Sequence, residues 1–153
     1  MSDLFHYERK EYSSGVVLWR LQGPSNPSAW AALLNEATQW MSEQESRGKR
    51  WAFIIDPSEM TKVSAAARRM AGEWRRTNMP LIANVCSRAC YVADSPMIRG
   101  AITAVLWFAQ PVVDVSVRAT KEEAFAWITG PSDRKTPQEV AAATREGDAY
   151  FTR

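Results

Sequence analysis

Apolar positions are concentrated in one stretch, Trp51-Ala52-Phe53-Ile54-Ile55, closed by Asp56-Pro57. A short continuous apolar run of this kind predicts a strand covered on both faces, as in a parallel sheet. The segment from Asp56 to Ser64 is then expected to leave the carboxyl end of that strand as a loop, the place where open α/β sheets usually hold their sites. Upstream, Phe5 to Lys10 and Val16 to Leu21 are β-type runs separated by Ser13-Ser14-Gly15. They predict an antiparallel opening pair joined by a hairpin turn. After Gly23-Pro24-Ser25, Asn26 stands as an N-cap with Pro27 at the first helical position, where a fixed φ and a missing N–H cost nothing. Trp30, Leu33, Leu34, Ala37, Trp40 and Met41 then recur at helical spacing until Gly48.

Downstream of the central strand, Val63, Ala67, Met70, Ala71 and Trp74 form the stripe of a second amphipathic helix, with Arg68, Arg69, Arg75 and Arg76 on its flank and back. Pro80 is expected to close it, and Leu81 to Asn84 to lead into a strand over 87–93. Ser95-Pro96 repeats the cap-plus-proline device ahead of a third helix over 97–109, apolar nearly all round. Its expected core face is Met97, Ala101, Val105 and Phe108, leaving Leu106 and Trp107 on or beside the outer face. Pro111 stops it. Val112 to Arg118 alternates as a half-buried strand, and Thr120 to Glu123 is a capping box that opens a fourth helix through Ala124, Phe125, Trp127 and Ile128.

The expected order is β-β-α-β-α-β-α-β-α. It predicts an α/β fold with a mixed, mostly parallel five-stranded sheet, four helices and right-handed crossovers. Residues 1–130 are read as this domain. Residues 131–153 are read as a linker and a polar, alanine-rich C-terminal helical tail introduced by Thr136-Pro137-Gln138-Glu139.

Composition narrows the function classes without choosing among them. The chain has 153 residues, 46% hydrophobic and 24% charged, enough for one well-formed core. A net charge of +2 is far from the excess of a dedicated nucleic-acid binder, so nucleic acid is not expected as a partner. The first residues lack a basic segment followed by an apolar one, and no run approaches a membrane span, so a cytoplasmic location is expected. Cys86 and Cys90, four apart in one strand, would be about 13 Å apart, beyond disulfide reach, and both thiols are expected to be reduced.

The order of elements resembles that of the STAS domain, the fold of bacterial anti-sigma-factor antagonists. The second half looks like its SpoIIAA-like branch, of STAS or CRAL-TRIO type. The resemblance is carried by Ile54-Ile55-Asp56, by Ile98-Arg99-Gly100-Ala101-Ile102-Thr103-Ala104-Val105-Leu106-Trp107, and by Ala119-Thr120-Lys121-Glu122-Glu123-Ala124-Phe125-Ala126-Trp127. It covers about residues 4 to 129 and implies a signalling protein that works by contact with another protein. In the antagonists a serine in an Asp-Ser-Ser-Gly type motif opens the helix after the central strand and is phosphorylated. The matching stretch is Ser64-Ala65-Ala66-Ala67, with alanine at that position.

Enzymatic chemistry has little to work with. His6 stands alone on an opening strand, no His/Cys/carboxylate set has metal-ligand spacing, and no glycine-rich phosphate loop is present. No catalytic residue, metal or cofactor is expected. The expected function is a non-enzymatic regulatory module that docks another protein through Ser58, Thr61, Ser64, Arg68, Arg69, Arg99 and Trp107. These lie on the loop after the central strand and on the second and third helices. Asp56, Asp94, Ser95 and Arg99 could rim a ligand pocket at the carboxyl edge of the sheet. Two alternatives remain: a carrier or sensor of a small apolar or lipid-like ligand, which the CRAL-TRIO likeness implies, and a self-associating scaffold such as a homodimer. A carrier would need an apolar pocket of roughly 300 Å³ or more.

Overall fold

The computed structural model describes residues 4–108 and 111–131. The elements are β1 (His6–Glu11), β2 (Val16–Pro24), α1 (Pro27–Ser46), β3 (Trp51–Lys62), α2 (Ala65–Thr77), α3 (Met79–Val85), β4 (Cys86–Val92), α4 (Pro96–Phe108), β5 (Asp114–Arg118) and α5 (Lys121–Thr129). The strands lie in chain order across one mixed sheet: β1 is antiparallel to β2, and β2, β3, β4 and β5 are mutually parallel neighbours. Because each parallel step moves in the same direction, right-handed crossovers place their helices on a single face. Residues of α1, α2, α3 and α4 accordingly share one core with that face, while α5 alone covers the other.

The local devices that set these elements are those the sequence advertises. Gly15, at φ 84°, closes the β1–β2 turn, where its N–H donates to Tyr12 O at 3.0 Å. Asn26 caps α1 by accepting from the N–H groups of Ser28 and Ala29, at 3.1 and 3.2 Å. Ser64, Ser95 and Thr120 each accept an N–H three residues on, from Ala67, Ile98 and Glu123, and so fix the starts of α2, α4 and α5.

Three expectations need correction. There are five helices among the described residues, not four, because α3 intervenes between α2 and β4. Asn78 ends α2, its side-chain amide donating to Trp74 O at 2.8 Å, and Pro80 opens α3 in the first turn, where its missing N–H is harmless.

Next, β3 does not end at Asp56-Pro57. Pairing with β2 skips one β3 residue between Arg20↔Asp56 and Gln22↔Glu59 and another between Gly23↔Met60 and Pro24↔Lys62. Pairing with β4 stops at Ile55↔Tyr91, so Pro57 falls in a bulge beyond the last β4 partner, where a residue without an N–H is tolerated. The expected loop from Asp56 to Ser64 is therefore mostly strand, leaving only Val63 and Ser64 before α2.

Finally, the buried face of α4 is Ile98, Ala101, Ile102 and Leu106, while Met97 is 47% exposed. The spacing of that face is as regular as the expected one, and contact with the sheet and α2 selects between them. The expected boundary of the C-terminal tail at 131 stands at the limit of the described residues, and 132–153 lie outside them.

Candidate functional site

The residues expected to dock a partner occupy two ends of a two-helix surface. α2 packs against α4, and both start at the carboxyl edge of the parallel strands. Ser64 is half-buried at the α2 N-cap. Arg68 is half-buried, with Nη1 donating to Val63 O at 3.2 Å, and Arg69 is exposed. Arg99 is exposed on α4, with Nε donating to Ala93 O at 3.1 Å. Trp107 is 67% exposed at the opposite end of α4. Eight residues of helix separate it from Arg99, about 12 Å along the axis. Met97, Gly100, Ala104 and Trp107 lie at helical spacing on the outward side of α4, none of them buried.

Thr61 and Ser58 belong to the β3 extension, Thr61 exposed and Ser58 half-buried. Ser58 donates both its O–H, at 2.5 Å, and its N–H, at 3.1 Å, to Oδ1 of Asp56. Asp56, 6% exposed, is thus consumed in an Asx turn that shapes the bulge. Asp94 is exposed, and Ser95 is engaged as the α4 cap. None of Asp56, Asp94, Ser95 and Arg99 lines the principal cavity.

That cavity, of about 180 Å³, lies between the sheet and α1, α2 and α4, and is walled mainly by aromatic and aliphatic side chains. Two arginines stand on its wall: Arg68, which also borders the expected docking surface, and Arg75. Arg75, placed by periodicity on the flank or back of α2, is half-buried and donates from Nη1 to the Tyr91 hydroxyl at 2.7 Å. Its buried Nε has no partner, and neither has the indole nitrogen of Trp30. A signal was present: Ala67, Ala71 and Arg75 stand at successive four-residue steps, and the first two are buried.

Three further titratable groups, Cys86, Cys90 and Glu59, are held by the fold. Burial pushes the Cys86 thiol up to about 12 and the Cys90 thiol up to about 11, so both are protonated and poor nucleophiles at neutral pH. They also lie on opposite faces of the sheet, because the pairing steps from Trp51↔Cys86 to Ala52↔Arg88 and the extra residue, Ser87, reverses the alternation. Glu59 is held below the usual carboxylate range, chiefly by its hydrogen bond from Arg20 and then by that from Gln22. Among the described residues, no group of three His, Cys, Asp or Glu is placed to hold a metal, and no helix is long and apolar enough to cross a membrane.

Solved structures share this arrangement. The chain is similar to a protein of the DUF3478 family with a SpoIIAA-like fold from Shewanella loihica PV-4, at 14% identity and TM-score 0.54, over 84% of this chain and 98% of that one. It is also similar to an anti-sigma factor antagonist from Mycobacterium paratuberculosis, at 11% identity and TM-score 0.53, over 85% and 98% of the two chains. The fold is therefore the SpoIIAA-like, STAS-type α/β fold, as the order of elements implies. No protein-family model matches the sequence, and no curated protein matches it.

Proposed function

We propose that the protein is a non-enzymatic regulatory module that docks another protein through the outer faces of α2 and α4, together with the β3 extension and the short turn that follows it. The carrying observation is Trp107, 67% exposed on α4. A large exposed aromatic supplies interface energy on becoming buried, and tryptophan is enriched among the residues that dominate binding. Small side chains at Gly100 and Ala104 let a partner approach the α4 backbone between Met97 and Trp107. Arg69 and Arg99, both exposed, give the surface a cationic rim suited to acidic residues of the partner. Arg68, Ser64, Ser58 and Thr61 border the same surface from α2 and β3. The solved anti-sigma factor antagonist of the same fold supports a role of this class.

The test is affinity capture from the source cell with the wild-type chain, Trp107→Ala and the double variant Arg69→Glu/Arg99→Glu. Loss of one specific protein by both variants, with the folded spectrum unchanged, is the expected result. A partner retained equally by all three sinks the assignment. Light scattering on the same samples separates out self-association: a dimer that Trp107→Ala dissolves identifies the surface as a contact between copies.

A further inference from the structure

The cavity between the sheet and α1, α2 and α4 combines an apolar body with donors that have nothing to donate to. Arg75 Nε and Trp30 Nε1 are both fully buried and without a partner, and both residues line it. No aspartate or glutamate lines it: Arg75 meets the neutral Tyr91 hydroxyl, and the other charged side chain on the wall, Arg68, is a cation as well. Leaving a buried donor unmade costs more than an average hydrogen bond gains, and leaving a cation without a counter-charge costs more still. An acceptor that carries negative charge would relieve both.

The volume restricts what can bring that acceptor. At about 180 Å³ the space is well short of the roughly 300 Å³ of an ordinary ligand pocket, which excludes a two-chain lipid. A dry apolar cavity of about 150 Å³ is nonetheless large enough to admit benzene. A single ring or short alkyl chain bearing one charged acceptor fits both limits.

We propose that this cavity binds a small aryl or short-chain alkyl carboxylic acid. Its apolar part lies among side chains such as Phe53, Ile102 and Val105, and its carboxylate pairs with Arg75, with the Trp30 N–H as the second donor on the wall. Guanidinium–carboxylate pairing is the strongest hydrogen bonding open to this site, because it is charge-assisted and can use two N–H groups at once. This inference stands apart from the docking surface, since none of the residues it uses lies on the exposed faces of α2 and α4.

The experiment titrates the full 15N-labelled chain with hexanoate and, separately, with 1-hexanol, which has the same chain without the carboxylate. Hexanoate should shift the Trp30 indole and Arg75 Nε–H resonances saturably and bind at least about tenfold tighter than hexanol, the worth of one charge-assisted hydrogen bond. Arg75→Met should remove that preference while leaving hexanol binding in place. Because Arg75 also holds Tyr91, a second variant guards against misfolding: Ala101→Leu fills the cavity from α4 and should abolish hexanoate binding with the fold intact. Equal affinity for acid and alcohol, no saturable shift at Trp30, or undiminished hexanoate binding by Ala101→Leu would each overturn the proposal.

Discussion

The two faces of the sheet are built from different materials. The buried side chains of the face toward α5 are Val16, Leu18, Ile54, Cys90, Val92, Ala124 and Ile128, small and branched, with the aromatics Tyr12, Phe125 and Trp127 only half-buried at their margin. The face toward α1 to α4 carries Trp19, Trp30, Trp40 and Phe53, whose rings meet edge-on or tilted, as in the Trp19–Trp40 pair with centroids 5.9 Å apart at 85°. Rings bury much area each, and the 180 Å³ cavity, walled in part by Trp19, Trp30, Phe53 and Trp74, lies on this side. The difference separates a layer that locks the sheet from a layer that can admit something.

Large-to-small substitutions test this division most strongly. Ile54, 0% exposed on the α5 side, should cost about 4 kcal/mol when changed to Ala, near the upper end for such deletions. Ile102 lines the cavity and already lacks neighbours on one side, so Ile102→Ala should cost about 2 kcal/mol. Denaturant midpoints at constant slope measure both, and equal losses would erase the distinction between the faces.

Small-to-large substitutions should show a smaller contrast of the same sense. Ala124→Val, at a fully buried position on the inner side of α5, should destabilise by about 2 kcal/mol through overpacking, whereas Ala101→Leu, beside the cavity, should stay within about 1 kcal/mol of wild type. Thermal midpoints of the two variants decide the matter.

The thiols place one alkaline probe on each face. Burial raises both, Cys86 to about 12 and Cys90 to about 11, so the unfolded chain gives up these protons first as pH rises. Their stabilisation is complete below roughly pH 8.5 and is lost above it, by about 1.4 kcal/mol per pH unit for each thiol until its folded value is reached. Stability followed from pH 8 to 10.5 should fall, and replacing either cysteine by alanine should flatten the decline by one thiol's share. An unchanged slope in Cys86→Ala would mean that the aromatic side admits solvent to that thiol. Substitutions on the outer surface complete the scale, with Trp107→Ala expected to change stability by no more than about 0.5 kcal/mol while altering partner capture.

Much of the fold was legible because its signals are local. The caps at Asn26, Ser64, Ser95 and Thr120 are hydrogen bonds between residues two or three apart, so the residue types that make them announce the helix starts. The failures share a cause as well. Asp56-Pro57 is a strong breaker by itself, and only the β2 neighbour, paired through a bulge, carries β3 past it. Pro80 reads as an ending, whereas it stands in the first turn of α3, which begins at Met79 with only Asn78 between it and α2. On α4, apolar nearly all round, periodicity offered two equally regular faces and could not rank them.

The candidate sites divide in the same way. Trp107 could be singled out as a residue on or beside the outer face of the third helix, but its exposure depends on which face α2 and the sheet bury. The cavity could not be read at all, because its wall is drawn from four helices and four strands and its polar members, among them Trp30, Arg68, Arg75 and Tyr91, are spread along the chain. The sequence by itself determined the order of the five strands and of the four longer helices, the starts of those helices and the buried central strand, because each rests on short-range hydrogen bonding and apolar periodicity. Tertiary structure alone decided the length of β3, the outward face of α4, the opposite sides taken by Cys86 and Cys90, and the void beside Arg75. Each of those depends on a pairing or a packing contact between segments remote in the chain, and no local preference encodes that.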